Sequence, residues 1–278
     1  MNSLLQIPYT RNEKQWYFLS VFYAREMWTE LISCIMNFYQ ERQNRFCNCL
    51  ISFSGEKGEH IRIIFASFIN DNNNYTDEIQ SCFQLFLDQN PSTNKISFPY
   101  GKAIWGNYRN NSITWNKFKL TDYSQQYIGF HQQTIEVALK LLADDFSEDS
   151  FFSLGIYLLT KALGCIDSQE QKNALSLSFQ EASAASPHFV YAAKELIKEI
   201  DINEVIETIG FYRNENASDY SPELISWLNE AKIILKLYNF QTLCMFICKI
   251  IGLIGLRQLM ILELMNICYT GTNRRTDI

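Results

Sequence analysis

The residues best equipped for chemistry sit in one stretch, residues 55–65, which reads Gly-Glu-Lys-Gly-Glu-His-Ile-Arg-Ile-Ile-Phe. A charged glycine turn runs directly into an alternating segment. Alternation places His60 and Arg62 on one face of a strand, with Ile61, Ile63 and Phe65 on the other. Two positions apart on one face, their backbones stand roughly 7 Å from each other. An imidazole and a guanidinium at that spacing can hold an anionic group between them. The plainer alternative is a strand whose polar face meets water.

The flanking elements decide how such a strand is held. Residues 15–23 are aromatic and β-branched, which predicts a strand. Residues 25–42 have helical spacing, with Met27, Leu31, Ile35, Phe38 and Tyr39 on one side. Residues 46–53 return to strand character, their alternation weakened by Cys47 and Cys49, and Gly55 and Gly58 turn the chain into a second limb over 59–68. A loop over 70–75, a helix over 77–87 and a short strand over 95–99 follow. The order strand, helix, strand, strand, helix, strand is the split βαβ arrangement of ferredoxin-like folds. Residues 100–122, rich in aromatics, Asn and Gly, form a hairpin or an extended binding loop, with Arg109 at an Asn-rich tip that is a turn by composition.

From residue 132 the period becomes helical. Ile135, Leu139 and Leu142 form one stripe, and Ser147 is an N-cap candidate for the next helix. Further helices are expected over 169–185, 189–199 and 222–238, and one long buried helix over 240–269; residues 213–221 read as a polar loop. The expected class is α+β: an antiparallel, β-rich, ferredoxin-like part over about residues 1–122, packed on a helical bundle over about 123–278, the two forming a single unit without a flexible linker.

Composition narrows the function classes. The chain has 278 residues, a formal charge of -6 and no long basic run, which argues against a nucleic-acid binder. Lys249, Arg257 and Glu263 interrupt the most apolar run, so no uncharged stretch approaches the roughly 20 residues of a membrane span. Eight Cys without a signal peptide point to a reducing, cytoplasmic setting. Neither Cys47/Cys49 nor Cys244/Cys248 has zinc-site spacing, and three His are too few for a His-rich metal centre, so no metal is expected.

Three stretches taken together resemble a known family. Residues 16–23, Trp-Tyr-Phe-Leu-Ser-Val-Phe-Tyr, look like its opening strand, and residues 58–65 look like its Gly-x-His-Leu-Arg-Leu-Arg strand. Residues 123–150 resemble its Tyr-x-x-Glu-x-x-Arg-Tyr-Gly-Gly segment followed by Phe-x-x-Asp-Ser, the second part intact as Phe146, Asp149 and Ser150. The family is the thiopeptide-type bacteriocin biosynthesis domain, similar to the C-terminal elimination domain of lanthipeptide dehydratases.

The resemblance implies maturation of a ribosomally made precursor peptide, without a metal or organic cofactor. One implied reaction is elimination of glutamate from glutamylated Ser or Thr, with a separate glutamylating dehydratase subunit as partner. Another is the joining of two dehydroalanines into a pyridine ring. A third role on the same scaffold is non-catalytic binding of the peptide or a partner enzyme, and a homodimer is among the assemblies left open. Elimination needs a base near the Cα proton, stabilisation of the enolate and cations for the departing carboxylate. By position, His60 and Arg62 match the family's His-x-Arg and are the catalytic candidates. Ser52, Tyr123, Gln126 and His131 fall at other motif positions and, with Arg109, are the substrate-binding candidates. The departures are specific: Ser52 and Ile64 stand where the family carries Arg, Gln126 and Gly129 where it carries Glu and Arg, and residues 248–253 lack the His, Asn and Arg of a dehydratase-type segment.

Overall fold

The computed structural model describes residues 9–11, 14–68, 74–93, 108–115 and 124–270. The chain divides into two compact units, residues 1–128 with 144–147, and residues 129–143 with 148–278. The class is α+β.

The first unit is built on a five-stranded antiparallel sheet: β1 (Tyr9–Arg11), β2 (Lys14–Phe22), β3 (Phe46–Ser54), β4 (His60–Phe68) and β5 (Ser112–Trp115). β4 lies between β2 and β3, while β1 and β5 share the other edge of β2. Helix α1 (Trp28–Gln40) joins β2 to β3, and α2 (Thr76–Gln89) follows β4. With β5 as last strand, the order β5-β2-β4-β3 is the split βαβ arrangement. The strand expected over 95–99 lies outside the described residues; β5 falls instead inside the aromatic stretch, pairing with residues 19–22 of β2.

Alternation sorts this sheet into two faces. Phe65 meets Phe38 of α1 at a ring-centroid distance of 5.3 Å, Phe83 of α2 at 6.3 Å and Phe46 at 5.1 Å, so the Ile61–Ile63–Phe65 face is the helix-covered core. The weakened alternation of β3 has a physical cause. The register slips between Phe46 and Asn48, where Cys47 is the extra residue of a bulge. Phe46 therefore points to the helices, while Asn48, Leu50, Ser52 and Ser54 join the opposite face.

The second unit is helical: most of α3 (Gln125–Leu142), then α4 (Glu148–Leu163), α5 (Ser168–Ala185), α6 (Val190–Ile197), α7 (Ile202–Asn214), α8 (Pro222–Leu237), α9 (Phe240–Ile250) and α10 (Leu256–Thr270). Several starts are capped by short polar side chains. Asp201 accepts from the backbone N–H groups of Asn203 and Glu204, Ser221 from Leu224 ahead of Pro222, and Asn239 from Thr242.

The expected single helix over 240–269 is two. Gly252 and Gly255 take left-handed φ values of 79° and 60°, ending α9 and starting α10. The Leu253 N–H bonds the Cys248 carbonyl at 2.8 Å, closing the end of α9. At Gly255 a Cβ would lie 3.1 Å from the Phe189 ring as well as straining the backbone. Gly255→Ala should lower stability by about 1.5 kcal/mol, read as a lower urea midpoint; an unchanged midpoint would show that the break between α9 and α10 tolerates other backbone shapes.

Candidate functional site

The polar face of the sheet carries the residues singled out above. Register places Ser52, Arg62, Ser20 and Thr114 in one row across four strands, and Ser54, His60, Phe22 and Ser112 in the next. Ser20, Ser52, Ser54 and His60 are buried. Ser52 and Arg62 are thus cross-strand neighbours. The next row on β4 is apolar, with Ile64 between Phe18 and Leu50. Arg62 therefore has a serine hydroxyl on each side along its row, with His60 on one side along β4 and hydrocarbon at Ile64 on the other.

The glycine turn sets the state of His60. Lys57 and Gly58 adopt φ values of 59° and 113°, and a Cβ on Gly58 would touch the Phe22 ring at 3.4 Å. This shape aims the Gly58 carbonyl at His60 Nδ1, 2.8 Å away. On the far side of the ring, Arg62 Nε donates to His60 Nε2 at 3.3 Å. With Nε2 accepting, Nδ1 carries the proton and donates to Gly58, so the imidazole is neutral. Burial is the main force lowering its pKa, to about 4, assisted by the Arg62 charge and opposed by the Gly58 carbonyl. The Phe22 ring packs on His60 at 4.4 Å.

Arg62 does not leave a gap beside His60. Its side chains' contact closes the space that backbone spacing alone would leave, and its Nη2 binds Glu56 Oε2 at 2.6 Å. Glu56 is more than half exposed and comes from the turn itself. The second acid of the turn, Glu59, serves structure: its carboxylate pairs with Arg25 Nε at 3.2 Å, both side chains 10% exposed, and accepts from the Arg25 backbone N–H.

The same end of the sheet gathers the Arg109 segment. Tyr108 stacks on Phe22 at 4.8 Å, and its N–H bonds the Lys57 carbonyl at 2.8 Å. The asparagines of the expected turn form a knot: Asn110 and Asn111 both donate to the Ser92 carbonyl, and Asn111 Oδ1 accepts from the Ser92 backbone N–H. Arg109 is exposed beside this knot, three residues before β5.

Two of the remaining candidates are on α3. Gln126 is exposed in the first turn of α3, in the first unit. His131 is 2% exposed on the same helix, within the second unit. Tyr123 lies outside the described residues. Of the intact motif, Phe146 is a core ring, 6.0 Å from Trp28 and 5.9 Å from Phe53, and Asp149 is in the first turn of α4, where the helix dipole favours an acid. Sequence reasoning missed Glu56 and Phe22, while Tyr108 falls in the aromatic stretch expected to form a hairpin or a binding loop. Of the two missed, Glu56 had a visible signal, an acid in a turn that folds back along its own strand.

Among the described residues no group of three or more His, Cys, Asp or Glu is placed to hold a metal, and no helix is long and apolar enough to cross a membrane. None of the eight cysteines is in a disulfide.

No family model matches the sequence, and no curated protein does. Solved structures do match. One, the pyridine synthase TbtD from thiomuracin biosynthesis, aligns over 92% of this chain and 98% of its own, with a TM-score of 0.62 at 10% sequence identity. The chain therefore shares the fold of that pyridine synthase along nearly its whole length.

Proposed function

We propose that this chain takes part in maturing a ribosomally synthesised peptide, with the precursor peptide as its partner and the His60–Arg62 face as the place where the peptide is handled. The observation that carries this reading is the end-to-end fold likeness to a pyridine synthase of thiopeptide biosynthesis. The sequence resemblance points the same way from different evidence.

Two finer readings divide at Arg62. Glutamate elimination, with a separate glutamylating subunit as partner, needs cations free to take the leaving carboxylate. Here Arg62 already holds Glu56, and Ser52 and Ile64 supply no charge. Ring formation between two dehydroalanines expels no glutamate and makes no such demand. In either reaction His60 accepts a proton at Nε2 only after Arg62 has swung off it. The occupied state of Arg62 favours the second reading.

The test uses a Ser/Thr/Cys-rich precursor encoded near this chain's gene, supplied glutamylated or with preformed dehydroalanines, and followed by mass spectrometry. Loss of glutamate supports elimination; ring formation with release of the leader supports cycloaddition. Arg62→Ala should cut the rate of elimination about 100-fold or more, as expected for a charge aimed at the leaving carboxylate, and should change the rate of ring formation far less. Binding without reaction would leave a peptide-holding role. No binding and no reaction with either peptide would overturn the proposal.

A further inference from the structure

A concavity lies wholly within the helical unit. It encloses about 370 Å³, at the low end of the range for small-molecule sites. α4, α5, α8, α10 and the end of α7 with the segment that follows it wall it in.

Its charges all have one sign. Lys161, Arg213 and Lys232 line it, and no acid does. Lys161 is internally matched: its side chain is 4% exposed, and Nζ meets Glu215 Oε2 at 2.7 Å, the Tyr212 carbonyl at 2.6 Å and the Tyr220 hydroxyl at 3.0 Å. That set neutralises the buried ammonium and pins the segment after α7 to α4. Arg213 and Lys232 have no such match. Both are exposed at the rim, and neither has a carboxylate partner among the described residues. Arg213 lies 4.8 Å from the Tyr269 ring centroid.

The remaining wall is neutral and flat. Tyr212, Tyr220 and Tyr269 present three rings. Burial raises the pKa values of Tyr212, Tyr269 and the Cys165 thiol, so these groups keep their protons at neutral pH. A chain with a formal charge of -6 has thus gathered two unneutralised cations over an aromatic-walled hollow. Cations at the mouth suit a carboxylate, and rings on the wall suit a flat apolar body.

We propose that this cavity binds a carboxylate carried on an aromatic body, either a small acid or the end of a peptide. The inference stands on the cavity alone and does not need the peptide-maturation reading.

The test measures binding by NMR or calorimetry to four probes: N-acetyl-phenylalanine, its carboxamide, and a tetrapeptide ending in Phe with a free or an amidated C-terminus. The acids should bind at least tenfold more tightly than their amides, and raising the salt concentration should weaken them. Preference for the single amino acid over the tetrapeptide points to a small-molecule source, and the reverse to a peptide end. The Arg213→Ala/Lys232→Ala variant should lose at least tenfold in affinity for the acids. Both residues are on the rim, so far-UV circular dichroism should be unchanged; single Arg213→Gln and Lys232→Gln variants serve if the double variant misfolds. Equal binding of acid and amide, unchanged affinity in the variants, or no binding of any probe at about 10 mM, weaker than the millimolar range expected, overturns the proposal.

Discussion

Trp227→Ala should cost the helical unit about 4 kcal/mol, the middle of the range for emptying a large aromatic site. Trp227 is fully buried in α8. Its indole packs 5.9 Å from the Phe130 ring and donates from Nε1 to Thr134 Oγ1 at 2.9 Å, both partners on α3. Thr134 in turn donates to the Phe130 carbonyl at 2.7 Å. Truncation removes the ring contacts and leaves a void between two helices, with one hydroxyl lone pair unserved. Trp227→Phe keeps most of the ring volume, and its cost should stay near 1–2 kcal/mol. Urea denaturation followed by far-UV circular dichroism reads both. A loss below about 1 kcal/mol for the alanine variant would mean that α3 and α8 are held by something other than this residue.

The first unit should lose about 3 kcal/mol between pH 6.5 and 4, the size set by moving one histidine pKa between those values. The unfolded chain protonates His60 near 6.5, whereas the folded site holds it neutral down to about 4. Across that window the unfolded state binds more protons, so stability falls as pH falls. The loss begins below 6.5 and is complete once pH passes the folded value. His60→Phe keeps a ring beside Phe22 and removes the titration. The difference between wild type and this variant, measured as denaturation midpoint against pH, isolates the histidine from the chain's other acids and bases. Parallel profiles for the two proteins would show that His60 is protonated in the fold as readily as in water.

Most of the sheet could be read from the sequence because period-two alternation is a local signal, and β2, β3 and β4 carry it strongly. The bulge at Cys47 is where that signal faltered. β5 was harder: four residues within a polar, aromatic stretch find their partner some 90 positions earlier, in β2. Helix α7 is absent from the expected helices although Asp201 and Glu204 are a start signal and Ile202, Val205, Ile206 and Ile209 have helical spacing; only Ile209 of these is fully buried. The split between α9 and α10 was marked by Gly252 and Gly255, which the apolar run around them obscured. At the site, the shared face of His60 and Arg62 followed from spacing. Their contact, and the hold of Glu56 on Arg62, depend on side-chain torsions and on the turn's left-handed residues, which spacing does not encode.

The knot of Ser92 with Asn110 and Asn111 gives the neighbourhood of His60 an anchor besides the strands. Both asparagine side chains donate to the Ser92 carbonyl, and Asn111 accepts from its N–H, so the segment entering β5 is tied to the segment after α2. Tyr108, two residues before the first of them, packs on Phe22, whose own ring lies on His60. Two amide side chains thus set where an aromatic wall of the candidate site stands, and a change at either would reach the imidazole through two rings rather than through the sheet.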